Sequence, residues 1–295
     1  ISLVSGDDIT LTDTAANVAG LSSTLLANID HITLTDSTAF SFTLDQYTLL
    51  KAHGLALSNS QTVTLDVSAA DLKDAAKLTA IKTAGLSVNV TEATWSLSVS
   101  EFTAVKNASI SFVAGESFTI VDTAGNIATA DFAAINTSRA TGITVSGNGA
   151  LTLDAAHAAA LGLRITSTGS ITVSDTGGNI ANITDTQLGK LAGYGVTVID
   201  SSSNAVTLTS AQYTALKATT LRFAATDVVT LTASATDLKG LDANALDALH
   251  TFGVIKIDAT DASWSLSASQ LNAFAAKSIS LVSGDDITLT DTAAN

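Results

Sequence analysis

The chain has 295 residues and a formal net charge of −14, from 27 acidic against 13 basic side chains; hydrophobic residues make up 46%, aromatics 5% and charged residues 14%. That charge repels nucleic-acid phosphate and anionic lipid headgroups, so neither is an expected partner, and the absence of Cys removes disulfides, thiolate metal sites and Cys nucleophiles. The apolar residues are mostly Ala, Val, Ile and Leu, which suits thin stacked layers, and no run approaches the roughly 18 to 20 apolar residues of a membrane-spanning helix, so membrane insertion is not expected.

The chain opens at Ile1 in a strand-like phrase and contains no Met, as expected of a segment cut from something longer. Ile9-Thr10-Leu11-Thr12 alternates apolar and β-branched polar residues, the pattern of a half-buried strand. Asp13 or Thr14 then offers an oxygen to the unpaired amides of a helix start. Val18, Leu21, Leu25, Leu26 and Ile29 follow at three- and four-residue steps and predict one helix with one apolar face. Ile32-Thr33-Leu34 reads as a second strand. A shorter unit follows, with a first strand near Ser41, a helix over 45–53 that points Tyr47 and Leu50 inward, and a second strand at 55–57.

The same alternation runs to the end of the chain. Phrases resembling the one at Asp8 begin at Thr62, Ser117, Ser170 and Val228, and phrases resembling the one at Ser41 begin at Trp95, Ala150, Ala205 and Trp264. Asp122 or Thr123 and Asp175 or Thr176 take the capping role of Asp13 or Thr14. Further second strands are predicted at 86–90, 109–113, 143–145, 163–165, 196–199, 221–223, 254–257 and 279–282. Tight polar turns fall at Ser5, Ser58, Ser146, Ser167 and Asp200, rich in Gly, Asn, Asp and Ser. Finally, the seventeen residues Ile1 to Asn17 recur without a mismatch at Ile279 to Asn295, a shift of 278 residues.

Leu11, Leu65, Ile120, Val173, Leu231 and Leu289 mark the longer units at spacings of 54, 55, 53, 58 and 58, so the 278-residue block holds five double repeats, or ten coils. Their bounds are 1–57, 58–112, 113–166, 167–223 and 224–278, and 279–295 begins the next identical block. Strand, helix, strand and corner predict an α/β repeat fold, a right-handed parallel β-solenoid with a helix in each coil, running as one continuous solenoid over 1–295. At about 4.8 Å per coil a block rises on the order of 48 Å. The alternative is antiparallel hairpins packed on helices, because period-two patterning does not fix strand direction.

Signs of chemistry are sparse. The sequence has no H-E-x-x-H, G-x-S-x-G, P-loop or G-x-G-x-x-G, and Thr176-Gly177-Gly178-Asn179 occupies the repeat position of Thr14 to Asn17, a helix start rather than a phosphate cradle. His31, His53, His157 and His250 stand apart, the second and fourth near helix ends. Asn17, Asn126 and Asn179 recur and suggest a side-chain ladder along the axis. Trp95 and Trp264 open corresponding strands, as core corner residues or as exposed anchors. The candidate Ca²⁺ ligands are Asp7, Asp8, Asp200, Asp258 and Asp261, with Asp30 and Asp36 of the same kind, all expected near corners where turn carbonyls would complete a site. No cofactor is required by this reading, and no catalytic residue is expected.

The phrases ITLTDTAANVAGLSSTLLANIDHITLTD from Ile9 and VTLTSAQYTAL from Val206 resemble the repeats of giant bacterial extracellular β-strand-repeat proteins of surfaces and filaments. The resemblance covers the whole chain and is carried by the repeat style. It implies secretion, an extracellular or cell-surface location, and a role in fibres, sheaths or surface layers built by self-association with copies of the same repeat. The alternative, second to that reading, is the stalk of a cell-surface adhesin whose binding domain lies elsewhere.

Overall fold

The computed structural model describes residues 7–36, 39–58, 61–261, 263–284 and 286–290; parts of the turns expected at Ser5 and Ser58 lie outside them. Two compact bodies are formed, Ile1–Ile120 and Val121–Asn295. Together they carry twenty short strands and fifteen helices among the described residues.

In the N-terminal body the strand Thr10–Asp13 pairs with His31–Leu34, which pairs in turn with Leu55–Ala56. A second sheet joins Phe40–Thr43, Val63–Val67 and Ser87–Val90, and Ser96–Leu97 pairs with Thr119 and Ile120. In the C-terminal body, Leu151–Leu153, Ile171–Asp175, Val198–Ser201 and Arg222–Phe223 form one four-stranded sheet. Ala205–Thr209, Val228–Ala233, Val254–Ala259 and Ser280–Leu281 form another. Ala140–Val145 pairs with Ile165–Thr166, and Ser263–Leu266 with Asp286–Leu289.

Every strand pairing among the described residues is parallel, which overturns the antiparallel-hairpin alternative. Each connection carries at least one helix, as parallel neighbours require. Between neighbouring repeats like strands pair, first with first and second with second, while within a long repeat the first strand pairs with the second. A four-stranded sheet runs from the first strand of a short repeat, through both strands of the next long repeat, to the second strand of the following short one. Successive sheets are thereby interleaved in sequence: Leu55–Ala56 of one sheet lies between Phe40–Thr43 and Val63–Val67 of the next.

Strand alternation behaves as the pattern predicts. In Val63–Val67 the apolar Val63, Leu65 and Val67 are buried, while Thr64 and Asp66 on the other face are half-buried. The predicted second strands are found, apart from that over 109–113, where a single bridge links Phe112 to Val88.

The helices of the long repeats depart from expectation. The one helix predicted after Thr14 is two, Ala15–Ala19 and Ser23–Leu26, because the chain turns at Gly20 and Ser22 caps a fresh start, its hydroxyl accepting from the Leu25 amide. Leu25 is consequently turned out, 62% exposed, while Leu26 is buried. The break recurs in all five long repeats, with Asp74, Asp131, Thr184 and Asp242 capping the second helices. Short repeats keep one helix, as in Leu44–Ala52 and Ser210–Lys217.

Candidate functional site

The polar side chains that recur through the repeats form sets of hydrogen bonds within each body, which close helix ends within a repeat and between a repeat and its neighbour. The first part is local. Thr14 is the N-cap, and Asp13 Oδ1 accepts from the Thr14 amide at 2.7 Å and from Asn17 Nδ2 at 2.8 Å. Asp122 serves Thr123 and Asn126 at 2.7 Å each, and Asp175 serves Thr176 and Asn179 at the same distances. The expected ladder of Asn17, Asn126 and Asn179 along an axis is therefore not what these amides make: each donates to an Asp four residues earlier. Either-or capping by the Asp–Thr pair becomes a division of labour, with Thr closing the helix and Asp holding Thr and Asn.

The second part reaches across the coil. A helix begins with amides that have no partner inside the helix. Here a side-chain oxygen more distant in sequence supplies one: from the corner after the same repeat's second strand, the Ala69 amide donating to Glu92 Oε2 at 2.9 Å and Gly177 to Ser203 Oγ at 3.1 Å, or from the first strand of the following repeat, Ala155 donating to Asp175 Oδ2 at 3.0 Å. The Ala15 amide donates to Asp36 and the Ala235 amide to Asp261. Asp175 is thus a bridge, one oxygen on its own repeat and one on the preceding helix. Hydrogen bonds from Asn179, Ala155 and Thr176 hold its carboxyl below the usual carboxylate range. An open, shallow depression lined by Ala155, Ala159, Asp175, Asn179 and Asn182 borders this bridge.

A third part joins helix end to helix start. Gln46 Oε1 accepts from the Thr43 amide at 2.9 Å, completing a capping box, while its Nε2 donates to the carbonyl of Ala19, the last residue of Ala15–Ala19, at 3.1 Å. Gln187 does the same between Thr184 and Ala159, Gln212 between Thr209 and Ala181, and Gln270 between Ser267 and Lys239. Each receiving carbonyl closes a helix: Ala155–Ala159, Gly177–Ala181 and Ala235–Lys239. Where Glu101 replaces Gln it keeps the box to Ser98 at 2.7 Å but has no amide to donate. Lys73, the last residue of Ala69–Lys73, instead approaches its carboxylate at 3.8 Å.

The sequence shows the Ser/Thr-x-x-Gln spacing of the capping box, but the crossing half of each Gln bond spans 27 to 31 residues and leaves no local signal.

The calcium candidates are not gathered. Asp7 and Asp8 are exposed, and Asp8 pairs with His31 Nε2 at 3.2 Å. Asp200 and Asp258 lie within the strands Val198–Ser201 and Val254–Ala259 rather than at corners, with Ser174 Oγ 3.4 Å from Asp200. Asp261 lies on a bend and is occupied by the Ala235 amide, while Asp30 accepts from the Ile9 amide at 3.0 Å. Among the described residues no three His, Cys, Asp or Glu side chains are placed to hold a metal ion, and no helix is long and apolar enough to cross a membrane.

His53 caps the C-terminus of Leu44–Ala52 and His250 lies in the last turn of Ala243–Phe252. Trp95 and Trp264 are both buried, which selects the core reading over exposed anchors; the Trp95 ring lies 4.9 Å from that of Phe118 and 5.6 Å from that of Phe112, tilted against both. No family model, curated protein or solved structure matches the chain.

Proposed function

We propose that the chain is a structural repeat block of a giant extracellular bacterial protein, whose coils wind as a right-handed parallel α/β solenoid and whose blocks stack end to end into a fibre, sheath or surface layer. The observation that carries this reading is a set of bonds across repeats: Gln46, Gln187, Gln212 and Gln270 donate to the last carbonyl of a helix in the preceding repeat, and Asp175 accepts the first amide of one. The unit that completes a repeat is therefore another repeat, and growth along a line satisfies groups that a closed globule would have to cap by other means. The exact recurrence of seventeen residues after 278 supports continuation of the same winding into the next block. Self-association, rather than a small-molecule ligand, is the interaction this design serves.

Electron microscopy of a chain carrying the block twice, residues 1–278 followed by 1–295, tests the reading. A continuous rod about twice as long as that of one block, joining others into filaments of uniform width, is the expected result. Two globules on a flexible tether would refute continuous winding, and rods that remain single would favour the adhesin stalk.

A further inference from the structure

Several side chains that depart from the repeat pattern converge on one place. The helices Ala75–Ala84 and Ala243–Phe252 are counterparts: each has ten residues, an Asp N-cap, Asp74 or Asp242, and a closing glycine with positive φ, Gly85 or Gly253. Position by position, Asn244, Asp247 and Phe252 stand where the earlier helix has Ala76, Thr79 and Ala84. The preceding helices correspond too, Gln46 to Lys51 reading QYTLLK and Gln212 to Lys217 reading QYTALK, and five residues beyond the lysine Arg222 stands in place of Ala56. These four exchanged residues, with Lys217 and Thr251, border one open depression of about 350 Å³. Its walls are the end of the helix Ser210–Lys217, the strand Arg222–Phe223 and the helix Ala243–Phe252, all with further repeats before and after them.

The charge of this depression is unlike that of the chain, whose net charge is −14. Arg222 is held in place. Its Nη1 donates to the Thr219 and Leu221 carbonyls at 3.2 and 2.6 Å, and its guanidinium carbon lies 5.7 Å from the centre of the Phe252 ring, which Tyr213 and Phe223 meet edge-on. Nη2 and Nε keep their donors. Lys217 Nζ lies 5.8 Å from the centre of the Tyr213 ring, and among the described residues neither cation has a carboxylate partner. Its counterpart Lys51 instead donates to the Leu55 carbonyl at 3.1 Å. Asp247 is neutralised by Lys277, whose Nζ donates to its Oδ1 at 2.5 Å and leaves Oδ2 as an acceptor.

We propose that this depression binds a carboxylate-bearing sugar, a uronate unit of an acidic polysaccharide. The Arg222 fork presents planar donors that match a carboxylate, and Lys217 adds a second positive charge. Asn244, Asp247 and Thr251, spaced by three and four residues, share the exposed face of one helix and offer sugar hydroxyls both donors and an acceptor. The Asp247 carboxylate disfavours a doubly charged phosphate or sulfate and favours a ligand with hydroxyls to donate, and the acidity of the whole chain disfavours polyanions of high charge density. An open depression lets a polymer pass across it. The site is independent of end-to-end stacking, and either can fail without the other.

Titration calorimetry of the full chain with trigalacturonate at low salt tests the proposal. Saturable binding of one molecule per chain is expected, weakened about tenfold or more by Arg222→Ala and about three- to tenfold by Lys217→Ala. The methyl ester of the same trisaccharide keeps the ring hydroxyls and loses the charge, and it should not bind measurably. Lys51→Ala, at the corresponding place in an earlier repeat, should bind as the unaltered chain does. Absence of saturable binding, or an equal loss in Lys51→Ala, would overturn the proposal. So would displacement of the trisaccharide by inorganic phosphate at an equal or lower concentration, which would mark a general anion site.

Arg222 also closes two carbonyls, so its removal can unfold the chain. Should circular dichroism show that, Asn244→Ala decides together with Lys217→Ala: both side chains are exposed, and Asn244→Ala restores the residue found at Ala76. Each is expected to leave the fold unchanged and to weaken trigalacturonate about three- to tenfold. Unchanged affinity in both variants would overturn the proposal.

Discussion

Gln212 donates its side-chain amide to the carbonyls of Ala181 and Ile183, both at 2.8 Å and about thirty residues earlier, while its own carbonyl oxygen accepts from the Thr209 amide at 2.9 Å. It is buried, so the two carbonyls it serves have little access to water. One side chain thus closes the end of a helix in one repeat and the start of a helix in the next.

Gln212→Ala removes both functions and is expected to destabilise by about 1–3 kcal/mol, the cost of leaving buried polar groups without partners. Gln212→Glu keeps the capping box but sets a carboxylate against two carbonyls, so its loss should be at least as large at neutral pH and should shrink on mild acidification. Chemical denaturation of both variants at two pH values checks this. Gln270, only half-buried with a single crossing bond, should be more tolerant of the same changes.

Gly177 and Gly178 are adjacent at a helix start, and helix propensity alone would favour Ala at both. A Cβ on Gly177 would lie 1.8 Å from the Ala205 carbonyl oxygen, whereas nothing stands within 4 Å of one on Gly178. Gly177→Ala is therefore expected to lower the melting temperature by several degrees, and Gly178→Ala to leave it unchanged or raise it, through a stability gain of up to about 1 kcal/mol. Equal effects at the two positions would contradict this account of how closely neighbouring repeats approach.

The carboxyls of Asp13, Asp154 and Asp175 are held below their ordinary range; for Asp13 and Asp175 the leading cause is the side-chain amide of Asn17 or Asn179, and for Asp154 hydrogen bonds with His157 outweigh burial. A lowered folded value gives stability that is present above the unfolded value, about 3.9, and lost as pH falls through the folded one. Asp227 has the opposite sign. Burial, with the nearby charge of Asp200, raises its carboxyl despite hydrogen bonds from the Ser201 and Ala224 amides, so it costs stability as it ionises above about 3.9. The net expectation is a melting temperature that falls below about pH 4, a flatter fall for Asp175→Asn, and a steeper one for Asp227→Asn. Thermal scans between pH 3 and 6 measure all three slopes.

Asp261, at the corner after Val254–Ala259, accepts the first amide of the helix Ala235–Lys239. Asp261→Ala should cost about 1 kcal/mol, as loss of a cap does, and by the same amount in chelator and in millimolar Ca²⁺. A loss that appears only with Ca²⁺ present would mean that Asp261 is a metal ligand instead.

The contrast between Asp261 as expected and Asp261 as found shows what the sequence makes legible. Alternation in Val63–Val67, the Thr14 cap and the repeat lengths are local, and reading them gives strands, helix starts and order along the chain correctly. The break at Gly20 is hidden in the sequence because Leu21, Leu25 and Ile29 keep helical spacing across it. The roles of Asp36, Asp261 and Gln46 depend on atoms 21 to 27 residues away, and a carboxylate near a turn looks alike whether it awaits a cation or a helix amide. Leu11 and Leu289 carry the same residue in the same phrase, yet differ in exposure because their neighbours differ.

The central claim is that a repeat is completed by another repeat, and hydrogen exchange at the block boundary tests it most directly. In the 295-residue chain the amides of Ile287 and Leu289 should exchange far faster than that of Leu65, which has a strand on either side. In a chain carrying the block twice, the same two amides at the internal boundary should slow to a rate close to that of Leu65. Exchange that stays as fast as in the single block would contradict the account.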